Sequence, residues 1–114
     1  MPRMRALSIR QPWAEDILSG RKKYEYRKTR CRILNERVYI YASTVTEEKE
    51  KTRFEKLKLK PGDLPTGFLV GTIEFESCSG SPGAFRWKIR NPKRLKHLRR
   101  PRGKPLPIWF YPFP

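Results

Sequence analysis

The sequence predicts an α+β fold: a small β-barrel, closed or nearly closed, flanked by two or three helices. Three observations lead there. Short β-rich runs recur along the chain, Gly and Pro turns separate them, and two segments combine helical spacing with start and stop signals. The 114 residues suit one domain, 1–114, and are too few for two ordinary cores joined by a linker. Hydrophobic residues at 37% and aromatics at 12% supply a packed core and argue against wholesale disorder.

Taken in order, Arg5 to Ile9 reads as a short strand, followed by a helix from about Pro12 to Leu18. Proline suits the first helical position, Glu15 and Asp16 complement the positive helix start, and Gly20 closes the end in a left-handed conformation. Trp13, Ala14, Ile17 and Leu18 share one face at helical spacing and read as core. Val38 to Tyr41 is a β-rich run that reads as a buried strand ending near Ser43. A second helix then starts at Thr44, with Glu47 completing a capping box and Glu47 and Lys51 four apart in the favourable order. Only Phe54, Leu57 and Leu59 are apolar beyond that point, so this is a surface helix, ended before Pro61 and Gly62.

Leu64 to Gly67 is turn chemistry. Phe68 to Ser77 follows as a long strand, with Leu69, Gly71, Ile73 and Phe75 expected on one side, and Gly80 to Gly83 makes a loop. Phe85, Trp87 and Ile89 then alternate with Arg86, Lys88 and Arg90, which places a cationic stripe on one sheet face. Asn91 to Lys104 is rich in Lys, Arg and Pro. The tail, with Trp109, Phe110, Tyr111 and Phe113, is too apolar to lie in water.

Charge narrows the partner. The 27 Lys and Arg against 11 Asp and Glu leave a net +16, and a phosphate backbone, which releases counterions when neutralised, best explains the excess. Residues 1–37 hold eleven basic and four acidic groups, residues 38–76 six and seven, and residues 77–114 ten and none. The two basic ends are therefore expected to meet in space, with the acidic middle facing elsewhere. An anionic membrane is the rival partner, but no long basic helix with an apolar face is evident, so no membrane partner is expected.

Cys31 and Cys78 form neither a CxxC pair nor a disulfide ladder, which fits a reducing compartment. No apolar run reaches the roughly 18 residues of a membrane span, and the N-terminus lacks a signal-like apolar stretch. Cytoplasm is the expected location. Neither a cofactor nor a metal is expected, because no spacing of His, Cys and carboxylates forms a ligand set.

The segment Ala6-Leu7-Ser8-Ile9-Arg10-Gln11-Pro12-Trp13-Ala14, running into Gly20, Lys22, Glu25 and Arg27, resembles the opening of the ASCH family with its GxKxxExR pattern. The similarity continues through Tyr41-Ala42-Ser43, Leu64-Pro65-Thr66-Gly67 and Phe85-Arg86-Trp87 to Pro101, Gly103 and Trp109. It implies a PUA-like β-barrel with a cleft between barrel and helices, in a superfamily known mainly for RNA binding. Family members also include ribonucleases and a small bacterial branch that deacetylates acetylcytidine. That branch has a pattern similar to GxKxxT; this chain keeps the lysine as Lys22 and departs at Glu25.

Two classes of function follow. In the first, the chain binds nucleic acid, RNA over DNA and single-stranded or modified RNA above all, in a cleft edged by Ser8, Arg10, Gln11, Lys22, Glu25 and Arg27. Arg86, Lys88, Arg90, Lys93, Arg94, Lys96, Arg99, Arg100 and Arg102, with Lys104, then supply phosphate contacts outside it. In the second, Lys22 and Glu25 are catalytic, a desolvated lysine acting as base or nucleophile with the glutamate shuttling protons, in a ribonuclease or an amidohydrolase on an acylated nucleoside. The bland alternative for this pair is a structural salt bridge. His97 reads as a phosphate contact or a bystander, and Trp13, Trp87 and Trp109 as core, with one ring free to stack on a base at the cleft edge. A third reading makes the positive patch a dock for an acidic protein.

Overall fold

The computed structural model describes residues 3–44 and 48–114. The expected capping box of Thr44 with Glu47, and the Glu47 and Lys51 pair, lie outside the described residues because Glu47 does. The strands are β1 (Ala6–Arg10), β2 (Tyr24–Arg27), β3 (Arg37–Ser43), β4 (Phe68–Ser81), β5 (Ala84–Arg99) and β6 (Trp109–Phe110). They form one mixed sheet in the order β2-β5-β4-β3-β1-β6. β1 runs parallel to β3, and the other neighbours are antiparallel. Helices α1 (Trp13–Leu18) and α2 (Glu48–Lys56) and a 3₁₀ turn, Pro61–Asp63, complete the α+β architecture. Among the described residues, no helix is long and apolar enough to cross a membrane.

The expected barrel is not closed. Closure needs a ladder between the first and last strands, and among the described residues none joins β2 to β6. The cause is length: β2 has four residues and β6 two. Side chains span the gap instead. Arg27 of β2 donates from Nη2 to the Ser8 carbonyl of β1 at 3.0 Å, and Trp87 of β5 stacks on Trp109 of β6 with ring planes 7° apart.

Local signals place α1 closely. Pro12 occupies the cap position, one residue before the first helical position expected for it. Gly20 has φ +85°, the left-handed stop that its lack of a Cβ permits. Ala14 and Ile17 are buried in the main core with Ile9, Ile40, Ile73, Phe75 and Trp87. Helix α2 ends before Pro61 and Gly62, as expected: its last residue is Lys56, Lys58 takes φ +58°, and Leu57 and Leu59 lie beyond it. Phe54 is its buried anchor.

The long hairpin departs from the sequence reading twice. Leu69 does not share a side with Ile73 and Phe75: it packs with Ala6 and Phe110 in a second cluster, while Val70 joins the main core. An irregularity in register explains this, since Ile40 pairs with Gly71 and Tyr41 with Leu69, leaving Val70 out of the ladder. Strand β5 also continues to Arg99, through residues that read as an irregular basic stretch. Pairing with β4 overrides the local composition, and Pro92 falls opposite the shift between Thr72 and Glu74, where a residue without an N–H is tolerated. The aromatic tail is covered as expected: β6 pairs with β1, and Phe110 is buried.

Gly71 is where α1 meets the hairpin. A Cβ there would overlap Leu18 of α1 and lie 2.6 Å from the Lys93 carbonyl. The leucine can shift, but the β5 backbone cannot without loss of register. Gly71→Ala is expected to destabilise the protein by about 2 kcal/mol, the usual cost of overpacking, seen as a lower urea midpoint with an unchanged m-value.

Candidate functional site

The turn after α1 carries Lys22 and leads into β2, where Glu25 and Arg27, two residues apart, share a strand face. Glu25 is buried, with 7% exposure. Its Oε2 accepts from Arg27 Nε at 2.8 Å and lies 2.7 Å from Arg27 Nη2. Its Oε1 lies 3.7 Å from Lys22 Nζ. The glutamate thus fixes both cations, and Arg27 carries that order to β1 through the Ser8 carbonyl.

These groups floor a cleft of about 500 Å³. Ser8, Ile9 and Arg10 of β1 line it too, as do Trp13, Tyr26, Ser43, Lys49, Glu50 and Pro107. The Lys22 ammonium sits 5.4 Å from the Trp13 ring centroid and 5.0 Å from that of Tyr26, within cation–π range. Burial pushes the Lys22 ammonium below the ordinary lysine pKa, against the pull of Glu25 and Asp16, and with help from the Arg27 charge. The Ser8 hydroxyl donates to the Leu106 carbonyl at 2.6 Å, so its proton is committed.

Helix α2 is held over this cleft by a buried carboxylate. Asp16, with 1% exposure, accepts from Arg21 Nε and, through its other oxygen, from Arg53 Nε on α2, both at 2.8 Å. Arg10 Nη1 also donates to Glu50 on α2 at 3.2 Å.

The structure brings together Ser8, Arg10, Lys22, Glu25 and Arg27 from the expected site, and leaves the others outside. Gln11 is buried away from the cleft: it donates to the Pro65 carbonyl at 3.0 Å and accepts from the Glu15 amide at 3.1 Å, so it caps α1 and ties down the 64–67 turn. Arg86, Lys88, Arg90, Lys93, Arg94, Lys96 and Arg99 lie along β5, with Arg100 and Arg102 beyond it, and none lines the cleft. His97 is exposed on the same strand. Among the described residues, no three His, Cys, Asp or Glu side chains group as metal ligands.

The two basic ends of the chain do meet, since β2 pairs with β5 and sets Tyr24 opposite Lys88 and Tyr26 opposite Arg86. The acidic middle does not face elsewhere. Glu74 accepts from Arg37 and Arg90, both at 3.0 Å, and Glu76 pairs with Lys88 at 3.0 Å. Glu15 of α1 takes both arms of Arg94 at 2.8 and 2.7 Å. Local offsets for the late cations, absent from the nearby sequence, therefore come across the strand register and from α1. The Arg90 hydrogen bond holds the Glu74 carboxyl below the usual carboxylate range, and Glu76 raises the Lys88 ammonium.

The site is thus a cleft lined by cations and aromatic rings on an open six-stranded sheet. Residues 7–92 match the family model of the ASCH domain. The chain belongs to the ASCH domain family, a PUA-like fold generally linked to RNA binding. Among solved structures it is similar to ASCH from Zymomonas mobilis at 14% identity, covering 96% of this chain and 87% of that one, with a TM-score of 0.65. The S128A mutant of the Zymomonas mobilis protein gives 14% identity, the same coverage and a TM-score of 0.64. At such identity the likeness establishes the fold. No curated protein matches.

Two predictions follow from the geometry. Asp16→Asn removes a buried charge shared by two arginines that are themselves partly exposed, and is expected to cost about 2 kcal/mol, read from urea denaturation. Lys22 is expected to titrate below the ordinary lysine range by side-chain NMR, and Glu25→Gln to lower it further, since Glu25 raises it. With the folded pKa depressed, the unfolded chain binds more protons between the folded and ordinary values, so this group makes stability rise with pH across that window.

Proposed function

We propose that this ASCH domain binds single-stranded or modified RNA in the cleft between β1, β2 and α2. The observation that carries the reading is the pairing of cations with rings: Lys22, Arg27, Arg10 and Lys49 line the same cleft as Trp13 and Tyr26. Phosphates need the first set and unstacked bases the second. A single strand can offer both to one cleft, whereas a duplex keeps its bases stacked inside. The β5 cations serve as an outer track for the backbone, weakened where Glu15, Glu74 and Glu76 already hold Arg94, Arg90 and Lys88.

One observation favours a second reading, hydrolysis of RNA or of an acylated nucleoside. Desolvation brings Lys22 closer to a neutral amine than an exposed lysine would be, and a neutral amine can act as base or nucleophile. Against it, both Glu25 oxygens face cations, which suits the glutamate to orienting Lys22 and Arg27 more than to shuttling protons.

Labelled single-stranded RNA, single-stranded DNA and duplexes, incubated with wild type and Lys22→Ala across a salt series, separate the readings. The binding reading expects intact RNA and tightest binding to single strands, with log K falling by about 0.7 per decade of salt for each phosphate neutralised. Lys22→Ala should weaken binding by roughly tenfold. Cleavage by the wild type that disappears in Lys22→Ala would replace this reading with the hydrolase.

A further inference from the structure

Glu50 is the one charged group in the cleft wall whose placement the anion-binding account leaves unexplained. It lies on α2, is 1% exposed and lines the cleft. Arg10 Nη1 donates to its Oε1 at 3.2 Å. Its Oε2 is buried and has no hydrogen-bond partner. A buried carboxylate oxygen left unsatisfied is costly, so on a residue that lines the cleft it is an acceptor that a small turn of the side chain offers to a donor.

The chemistry of that donor is restricted. A phosphate is repelled by the carboxylate, and a sugar hydroxyl, although a good donor to a carboxylate, carries no flat ring. The Trp13 and Tyr26 rings at the same cleft give a planar group surfaces to lie against. A nucleobase with an exocyclic amine meets both requirements, presenting an N–H in the plane of the ring. Uracil presents a carbonyl where cytosine presents its amine, and two acceptors then face each other.

We propose that Glu50 is a specificity-determining residue, its Oε2 accepting a hydrogen bond from the exocyclic amine of a bound cytosine, adenine or guanine and so disfavouring uracil. This deepens the RNA-binding reading and rests on it for the identity of the site. Only one carboxylate oxygen is available, because Arg10 holds the other. The selection is therefore for one amine donor and not for a bidentate base edge.

The test titrates CMP, AMP and UMP into wild type and Glu50→Gln by NMR or calorimetry, with a mixed-sequence single-stranded RNA as a parallel arm. The wild type is expected to bind CMP and AMP roughly tenfold more tightly than UMP. Glu50→Gln keeps the side-chain shape but presents either an amide N–H or a neutral oxygen, so the preference should shrink to near parity while the protein stays folded by circular dichroism. Equal affinity of the wild type for all three overturns the proposal, as would result if water alone satisfies Oε2; this ranking decides even where the variant fails to fold. A folded Glu50→Gln protein that keeps the preference also overturns it. RNA binding without base preference removes the role of Glu50 and leaves the proposed function standing. Base preference among mononucleotides without RNA binding does the reverse.

Discussion

The buried carboxylate of Glu25 is the constraint on which the cleft depends. A charge removed from water must be paired and hydrogen-bonded, and here Lys22 and Arg27 supply the partners. The family pattern therefore has a physical meaning in this chain. Gly20 ends α1 in a left-handed turn, Lys22 follows within reach of β2, and Glu25 and Arg27 share one strand face. Arg27 then reaches the Ser8 carbonyl, so the same network links β2 to β1 where, among the described residues, no backbone ladder does so. The open sheet is curled by side chains at the very place where it forms a cleft.

Asp16 does the corresponding work for the other wall. It sits in the first turn of a six-residue helix, where a carboxylate already complements the positive helix end. By holding Arg53 it also decides where α2 lies, and with it the positions of Lys49 and Glu50. Glu25 and Asp16, two of the three buried acids among the described residues, thus organise the site. In the proposed binding role, the net positive charge draws in the ligand and these acids set the positions of the side chains it meets.

Much of this was legible in the sequence, because local rules operate where elements are local. The alternation of Phe85, Trp87 and Ile89 with cations, the Gly20 stop and the Lys22, Glu25 and Arg27 spacing all lie within one element or one turn. What escaped depended on contacts distant in sequence. Closure failed because β2 and β6 are too short, and no local signal states that length. Gln11 stands beside Arg10 in the sequence yet faces the Pro65 carbonyl, a direction set by the turn it meets. Lys49 and Glu50 lie in a run of mixed charge that reads as a solvated helix face. Only the ties of α2 to β1 through Arg10 and to α1 through Asp16 bring them to the cleft. The acids that offset the β5 cations were hidden similarly, since register pairs Glu74 with Arg90 across sixteen residues of chain.

The proposed cleft is tested most directly by the footprint of a short single-stranded RNA on the isotope-labelled protein, read by backbone and side-chain NMR at moderate salt. The largest shifts are expected at Trp13, Lys22, Arg27 and Lys49, with smaller, salt-sensitive shifts along β5. A footprint confined to Arg86, Lys88, Arg90 and the cations beyond them, with the cleft undisturbed, would contradict it.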